Sequence, residues 1–389
     1  MNWLDLYHTM ARIRAFELAA EVASQGGVQV LGAKLNDSAK VRGPLHLSIG
    51  QEAVAVGVCA HLERQDLLTS THRGHGHTLA KGADMRRMMA ELFGRADGFN
   101  GGKGGSMHIA DFSVGMLGAN GVVAAGLPIA CGAAHALKLQ GMPHVVACFF
   151  GDGATNRGPF LEALNWAAVY ELPVLFVCED NRYSATTSTR TLSAGPGALA
   201  RAQSLGVPGE AVDGNDVAAV YRASARLLAE VRTGQPRFLH AHTWRVRGHV
   251  SVDVQGYRDP QDLKDALAAD PLLRARQQAM ADGVSSVELD ALDARAQAEA
   301  DKALRLDANS IDALLALGLQ RQSMGETERA RDFLERASAL EPGNSRVILA
   351  QTSLIPAYAA KADFLRRNLD RTQTPAELHY LIKDLFEEI

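Results

Sequence analysis

The sequence has no excess of basic residues and very little cysteine. Its 389 residues carry a formal net charge of -4. No basic face is evident, so we expect neither a general polyanion binder nor a nucleic-acid surface. The four cysteines each lie in an apolar run, and none forms a CxxC pair, which predicts reduced core residues rather than zinc ligands or disulfides. They are Cys59, Cys131, Cys148 and Cys178.

The sequence also shows no hydropathy pattern typical of a targeting or membrane-spanning segment. The first 22 residues carry charges throughout and have no apolar core of the signal-peptide kind. The longest apolar stretch, Val122 to Leu137, is interrupted by Gly126, Pro128 and Gly132 and is too short to span a bilayer comfortably. It predicts a buried core helix. We therefore expect a soluble, cytoplasmic protein with no membrane contact.

The centre of the chain has a clear α/β pattern. Residues 144–150 (HVVACFF) and 173–180 (PVLFVCED) predict buried strands, and the amphipathic segment 159–172 between them predicts a helix that begins with Pro159. A helix at 216–232 and a strand at 236–246 follow. The expected fold is α/β, a parallel sheet with flanking helices, and its ligands should bind beyond the carboxyl ends of the strands.

The C-terminal third is rich in alanine, leucine and charge, which predicts an all-α extension. Ala303, Leu306 and Asp307 recur 34 residues later as Ala337, Leu340 and Glu341, the period of a tetratricopeptide repeat. A generic helical hairpin is the alternative. The repeat's packing positions would be Leu317, Gly318, Ala330, Leu334 and Ala337, with Gly325 in the turn and Pro342 at the end. We predict two domains, residues 1–300 and 301–389.

The most specific motif spans residues 151–183. Asp152 ends one predicted strand and Asn181 ends the next, and neighbouring parallel strands bring such turns together. A carboxylate and an amide oxygen, with the backbone carbonyl of Tyr183, would suit Mg²⁺, which also takes diphosphate oxygens. Gly151 and Gly153 allow the turn to approach phosphates closely. The segment therefore predicts a magnesium and diphosphate site.

This motif resembles the thiamine-diphosphate motif of the alpha subunits of 2-oxo acid and acetoin dehydrogenase complexes. The resemblance extends from about residue 4 to residue 300 and includes, in the family's order, the blocks GPLHLSIGQEAVAVG, STHRGHGHTLAKG, GGKGGSMHIADFSVGMLGANGVV and TWRVRGHVSVD. The segments HRGHGHTLAKG and KGGSMHIAD are most similar to acetoin dehydrogenase alpha subunits. The cofactors implied are thiamine diphosphate and Mg²⁺.

The resemblance also implies roles for individual residues. Arg73 matches an arginine that contacts the diphosphate, and His72 lies where many relatives have a tyrosine beside the aminopyrimidine ring. Gly121 and Val123 match positions whose backbone holds that ring. The residues that match the family's magnesium and diphosphate group are Asp152, Gly153, Ala154, Asn181 and Tyr183.

Two histidines, His46 and His249, match active-site histidines that face the substrate. His249 follows a predicted strand, within RGH, and precedes Asp253 in a predicted loop, which favours catalysis over a structural role. Two departures stand out: Asp180 lies where the family often has asparagine, and Val250 lies where animal pyruvate-type enzymes have a regulatory serine. Phosphorylation control at position 250 is excluded.

Two other interpretations of polar residues are weaker. His72, His75 and His77 could form a transition-metal site by composition, but no cysteine or carboxylate lies nearby at ligand spacing. Glu52 lies in a helix predicted from Gln51 to Leu62. We do not assign it as the cofactor activator, because in families of this two-subunit type the beta chain supplies that glutamate.

The resemblance implies that this chain holds only the diphosphate half of the cofactor site. A beta subunit should supply the rest, and α2β2 is the simplest symmetric assembly. The expected reaction cleaves acetoin or decarboxylates a 2-oxo acid, with His249 and His46 assisting proton transfer, and passes the acyl unit to a lipoyl acyltransferase. A thiamine-dependent carboligase and a non-catalytic assembly subunit are the alternatives. No GxGxxG follows a strand, which argues against a dinucleotide-dependent oxidoreductase.

Overall fold

The computed structural model describes most of the chain up to residue 355. The described residues are 1–24, 41, 43–305, 314–315, 318–319, 321–322, 325–340 and 342–355. The chain divides into two compact units. The first comprises Met1–Glu17 and Val41–Ala303, and the second comprises Leu18–Lys40 and Leu304–Ile389. The domain boundary that we place after residue 300 stays a prediction.

Helices form most of the regular structure. In chain order they are α1 (Trp3–Ser24), α2 (Glu52–Cys59), α3 (His75–Ala80), α4 (Met85–Leu92), α5 (Gly126–Leu139), α6 (Gly158–Val169), α7 (Ala198–Ser204), α8 (Val217–Val231), α9 (Pro260–Ala268), α10 (Pro271–Ala281), α11 (Ser286–Leu304), α12 (Thr327–Leu340) and α13 (Ser345–Ser353). Side chains of Asp84, Asp216, Asp259 and Asp270 cap the starts of α4, α8, α9 and α10 by accepting hydrogen bonds from backbone N–H groups.

A six-stranded parallel sheet forms the centre of the first unit, with strand order β2-β1-β3-β4-β8-β7. Its strands are β1 (Leu67–Thr69), β2 (Met116–Gly118), β3 (Val146–Gly151), β4 (Val174–Asp180), β7 (Gly209–Asp213) and β8 (Arg237–His242). A short antiparallel pair, β5 (Tyr183–Ser184) and β6 (Thr187–Ser188), follows β4. The expected α/β class is confirmed.

The βαβ unit forms because each of its strands opens with five consecutive apolar residues and its helix is amphipathic. Strands β3 and β4 pair in parallel from Val146 opposite Val174 to Gly151 opposite Glu179, and α6 crosses between them. Pro159 lies in the first turn of α6, where its missing N–H leaves no hydrogen bond unmade. The predictions for this unit are confirmed to within a few residues.

Both faces of the sheet are covered, as a parallel sheet requires. On one face, Phe150 and Phe238 pack with Phe160 of α6, with ring centroids 5.9–6.3 Å apart. Residues of the opposite parity, such as Val177 and Leu239, are also fully buried. Helix α5 packs on β1, β3 and β4, while α8 packs on β4, β7 and β8.

One helix differs from its prediction. The apolar stretch Val122 to Leu137 becomes helical only at Gly126, and Ile129 within the helix is 48% exposed. The expectation of a buried core helix is therefore wrong for one of its faces, since only positions such as Leu127 and Ala130 face the core. In the described part of the chain, no helix combines the length and apolarity needed to cross a bilayer.

The second unit contains a helical pair with its own core. Helices α12 and α13 bury Leu334, Ala337 and Val347 against one another, together with Leu314. Gly318 lies so close to Leu334 that an added Cβ would be 2.6 Å from that side chain. Gly325 has a φ of +76° in the turn before α12. Leu317, the remaining packing position of the predicted repeat, lies outside the described residues.

Candidate cofactor and active site

A cavity opens at the carboxyl edge of the sheet. The segments that line it follow β1, β2, β3, β4 and β8, so five of the six strands deliver residues to one place. Such an edge is where open α/β sheets bind their ligands, because the connecting loops diverge there. Of the predicted site residues, all line this cavity. They are His46, His72, Arg73, Gly121, Val123, Asp152, Gly153, Ala154, Asn181, Tyr183 and His249.

Asp152 is one of two buried carboxylates that line the cavity, the other being Glu179. Its side chain follows β3 directly, it is only 6% exposed, and its Oδ2 has no hydrogen-bond partner. Burial, together with the nearby charge of Asp180, raises the pKa of Asp152 to about 7. A buried carboxylate oxygen without a partner is costly unless a cation neutralises it. The residue therefore suits a cation ligand.

Asn181 lies beside Asp152, as the sequence predicts, because β3 and β4 are neighbours. Its amide nitrogen donates to Oε1 of Gln51 at 3.3 Å, and its Oδ1 accepts from the backbone N–H of Tyr183 at 3.3 Å. The hydroxyl of Tyr183 donates to Asp262 at 2.7 Å. These bonds hold the Asp152–Asn181 edge in one arrangement, which a hard cation with oxygen ligands would use.

Two buried arginines give the cavity an anion-binding side. Arg73 donates to the backbone carbonyls of Leu47 and His249, and Arg245 donates to the carbonyl of Ala185. Neither forms an ion pair with a carboxylate among the described residues. Burial and the charge of Arg245 lower the pKa of Arg73 to about 9. Two buried guanidinium groups that form no carboxylate ion pair among the described residues fit a polyanionic ligand such as a diphosphate.

The turn after β3 is tightly packed. Asp152–Asn156 forms a short 3-10 helix, and Ala154 within it is buried. A Cβ on Gly153 would lie 2.4 Å from Oγ of Ser184, so only glycine fits beside the β5 strand. The glycine of the motif thus permits the close packing of two segments that flank Asp152 and Asn181.

Three histidines meet at the other side of the cavity. The ring centroids of His46 lie 4.5 Å from His72 and 4.8 Å from His249, and those of His72 and His249 are 5.6 Å apart. Burial, with the neighbouring positive groups, lowers their pKa values to about 2, 3 and 4 respectively. All three imidazoles are therefore neutral near pH 7, and each can donate one proton and accept another.

The loop after β8 positions His249. The backbone N–H of His249 donates to Oδ2 of Asp253 at 2.7 Å, and the hydroxyl of Tyr257 donates to the same oxygen. On the side chain, Nδ1 of His249 lies 3.2 Å from a guanidinium nitrogen of Arg245. Because Arg is always a donor here, Nδ1 must be the acceptor, which leaves the proton on Nε2.

A glycine-rich loop forms another wall. Glu91 is fully buried, and its carboxylate accepts hydrogen bonds from four backbone N–H groups of this loop, at 2.7–3.0 Å. The donors are Asn100, Gly102, Gly104 and Gly105. The same loop carries Met107 into the cavity. Gly121 and Val123 line the cavity further along the chain, and Val123 is 48% exposed.

The HRGHGH segment does not form a metal site of its own. Both ring nitrogens of His75 are engaged, by Glu17 at 3.0 Å and by Ser106 at 3.0 Å. Those of His77 are engaged by Ser70 and Glu179. These histidines hold buried segments together, and only His72 faces the cavity. Glu52 is likewise buried in an ion pair with Arg14, which agrees with our decision not to assign it as the activator.

Three cavity residues were missed by the sequence analysis. Gln51 precedes α2 and bonds Asn181, Arg245 provides the second guanidinium, and Glu179 accepts from His77. Arg245 could have been found, because it lies in the TWRVRGHVSVD block from which only His249 was selected. Gln51 and Glu179 gave no signal, since one polar residue beside an apolar run is common in any fold.

This fold and cavity bring an unpartnered buried carboxylate oxygen and two buried guanidinium groups to the carboxyl edge of one parallel sheet. The sequence matches the dehydrogenase E1 component family over residues 30–310, and the chain belongs to that family. It is 46% identical over 266 residues to the alpha subunit of an acetoin:2,6-dichlorophenolindophenol oxidoreductase from Bacillus subtilis, covering 68% of this chain and 76% of that protein.

Two further relatives show the range of the similarity. The corresponding alpha subunit from Cupriavidus necator is 43% identical over 293 residues, covering 75% of this chain and 84% of the relative. The pyruvate dehydrogenase E1 component subunit alpha from Zymomonas mobilis is 39% identical over 293 residues, covering 75% and 79%. Both acetoin and pyruvate enzymes are thus similar to this chain.

Proposed function

We propose that this chain is the alpha subunit of a thiamine-diphosphate- and Mg²⁺-dependent dehydrogenase that cleaves acetoin or decarboxylates a 2-oxo acid. The observation that carries the proposal is the combination of two charge types in one cavity. Asp152 offers an unpartnered carboxylate oxygen, while Arg73 and Arg245 offer unpaired guanidinium groups. A diphosphate that bridges a cation and two arginines satisfies both.

The residues divide the work of binding. Asp152, Asn181 and the carbonyl of Tyr183 would hold Mg²⁺, and Arg73 with Arg245 would hold the diphosphate. Gly121 and Val123 would support the aminopyrimidine ring. Thiamine diphosphate, when bound, supplies a nucleophilic carbon that adds to a carbonyl group and then accepts its electrons.

The three histidines would handle protons and the substrate. At neutral pH, His249 carries its proton on Nε2, so it can donate a hydrogen bond to a substrate oxygen or transfer that proton. His46 and His72 are neutral as well and can extend the donor and acceptor set. Because their pKa values are lowered, the three histidines carry no positive charge at neutral pH, and the positive charge beside them comes from Arg73 and Arg245.

A beta subunit would complete the site. Among the described cavity residues, the carboxylates are Asp152 and Glu179, and Glu179 is already bonded to His77. Neither is free to activate the cofactor's far end. The exposed side chains of Val122 and Val123 at the cavity wall suit coverage by a partner. An α2β2 assembly is the simplest symmetric arrangement.

The test is co-expression with a candidate beta subunit from the same genome. Acetoin, pyruvate and branched 2-oxo acids would be assayed with an artificial electron acceptor, with and without thiamine diphosphate and Mg²⁺. We expect activity that requires both cofactors and both chains. Robust turnover by the purified alpha chain alone would contradict the two-subunit assignment, and aldehyde ligation without electron transfer would favour the carboligase alternative.

Three finer assignments belong to the same proposal. The acyl acceptor would be a lipoyl acyltransferase, and the location would be cytoplasmic. The C-terminal extension would be a tetratricopeptide-like hairpin, supported by the close packing of Gly318 on Leu334 and the positive φ of Gly325. Deleting residues 305–389 should then leave cofactor binding intact in the assembled enzyme. Loss of cofactor binding on deletion would place the domain boundary elsewhere.

A further inference from the structure

A second polar cluster lies at the carboxyl edge of the sheet, outside the cavity. It consists of Asp180 at the end of β4 with His240 and His242 on β8, and none of the three lines the cavity. Asp180 is directly opposite His242 in the register of the two strands. Because His240 and His242 are two residues apart, they share a face of the sheet.

The three side chains converge closely enough to share one ion. Nε2 of His240 lies 2.9 Å from Oδ2 of Asp180, and Nδ1 of His242 lies 3.6 Å from the same oxygen. The three ligand atoms all lie within 4.8 Å of one another. In a tetrahedral site with metal–ligand bonds near 2.05 Å, neighbouring ligand atoms are about 3.4 Å apart. The observed spacings of Asp180 to the two imidazoles fall on either side of that value.

Asp180 is oriented for this role by the backbone. Its Oδ1 accepts the N–H of Arg182 at 3.1 Å, so Oδ2 is the oxygen directed at the two histidines. That one oxygen accepts a hydrogen bond from His240 and lies beside the ring nitrogen of His242, so a single carboxylate oxygen faces both imidazoles.

The cluster is also accessible. His240 is buried, but the side chain of His242 is 49% exposed, which leaves an open side through which an ion and its water ligands can enter. Two imidazoles and one carboxylate with open positions are a ligand set for divalent first-row transition metals rather than for Mg²⁺.

We propose that Asp180, His240 and His242 bind a divalent transition metal such as Zn²⁺, at a site separate from the Asp152–Asn181 edge. The metal would join β4 to β8 at the last residue of β4, Asp180, directly before Asn181. The backbone N–H of Thr243 also donates to the carbonyl of Asp180 at 2.9 Å, so the metal would reinforce an existing link between the two strands. The proposal does not depend on the reaction that the enzyme catalyses.

The experiment uses Co²⁺ as a spectroscopic probe on the purified enzyme with its partner subunit. The enzyme is stripped of transition metals by a chelator and then saturated with Mg²⁺ and thiamine diphosphate. We expect one equivalent of Co²⁺ to bind, with visible d–d absorption. Asp180→Asn and His242→Ala should each raise the dissociation constant of Co²⁺ by more than about 100-fold. Even the loss of a residue that only orients a metal ligand weakens metal binding about 10- to 100-fold.

Two controls separate this site from the rest of the molecule. His72→Ala changes the three-histidine wall of the cavity, and His135→Ala changes a histidine of α5 that contacts Trp166. Both should bind Co²⁺ like the wild type. Asp180→Asn keeps the shape of the side chain, and His242 is half exposed, so far-ultraviolet circular dichroism should show both variants folded. Undiminished Co²⁺ binding by folded His242→Ala, or loss of binding only in His72→Ala, would overturn the proposal.

Discussion

The substitution Asp152→Asn tests the central feature of the cavity. The pKa of Asp152 lies at about 7, against 3.8 for an ordinary aspartate, because burial and Asp180 disfavour its charge. Since one pKa unit corresponds to about 1.4 kcal/mol, ionising this buried group costs the cation-free folded protein about 4 kcal/mol. The unfolded carboxylate loses its proton near pH 4 and the folded one near pH 7, so the cost develops between those values as the pH rises.

Removing the charge should therefore stabilise the cation-free protein at high pH. We expect Asp152→Asn to exceed the wild type in free energy of unfolding by up to about 4 kcal/mol at pH 8, and by only about 1 kcal/mol at pH 4.5. Urea denaturation in the presence of a chelator measures both. The matched control is Asp97→Asn, an exposed aspartate whose side chain is half accessible, for which a change within about 0.5 kcal/mol is expected.

Cations should make the wild type more stable than Asp152→Asn. Mg²⁺ with thiamine diphosphate should stabilise the wild type more than Asp152→Asn, because the variant keeps Arg73 and Arg245 but lacks the carboxylate that the cation would neutralise. At pH 7, Mg²⁺ binding should release about half a proton, which calorimetry in buffers of different ionisation enthalpy measures. A cation-free variant less stable than the wild type at pH 8 would refute the reasoning, since it would mean that the carboxylate already has a favourable partner.

Three further predictions concern the cavity walls. Arg73→Ala should weaken thiamine diphosphate binding about 10- to 150-fold, which is the loss of about 1.5–3 kcal/mol expected for a charged hydrogen bond. Arg73→Lys should recover only part of that affinity, as measured by calorimetry. Full recovery of affinity in Arg73→Lys would mean that a point charge is sufficient. Because the pKa of His249 is lowered to about 4, its contribution to stability should be lost as the pH falls from 6.5 towards 4. In urea denaturation, the free energy of unfolding of His249→Asn should therefore fall less steeply than that of the wild type over this pH range. The same dependence on pH in both proteins would contradict this. Glu91→Gln should cost about 2–4 kcal/mol of stability, because one amide oxygen cannot accept the four hydrogen bonds that the carboxylate accepts. The control Glu162→Gln, at an exposed position of α6, should cost little. Equal losses in the two variants would argue against the role of Glu91 in holding the glycine-rich loop.

The parts of the fold that could be predicted are those with strong local patterns. Strands β3 and β4 each open with five consecutive apolar residues, and α6 between them has Pro159 in its first turn, so the βαβ unit could be predicted from sequence alone. Strands β1 and β2 have three residues each, and Gly209–Asp213 is only partly buried. Such segments become strands because longer neighbours pair with them, and that information is not local.

The candidate site divides in the same way. Asp152 and Asn181 could be placed together because parallel strands imply adjacent turns. The meeting of His46 with His249 depends on a loop after β8 returning to the segment before α2, through Val246 bonding to the backbone of Ile49. Spacing along the chain does not predict that contact. The same holds for Arg245, whose importance depends on its having no carboxylate ion pair among the residues that the structure describes.

The parallel sheet also sets the order in which the site can form. Each pairing joins distant segments, as in Leu67 with Val146 and Leu175 with Arg237, and such non-local contacts form slowly because the intervening chain must first be closed into a loop. A nascent chain that has folded only through β4 holds Asp152 and Arg73 but neither Arg245 nor His249. Detachment of β8 in the mature protein would remove both at once. The docking of β8 therefore governs when the cavity gains its second guanidinium group and the histidine beside it, and how long it keeps them.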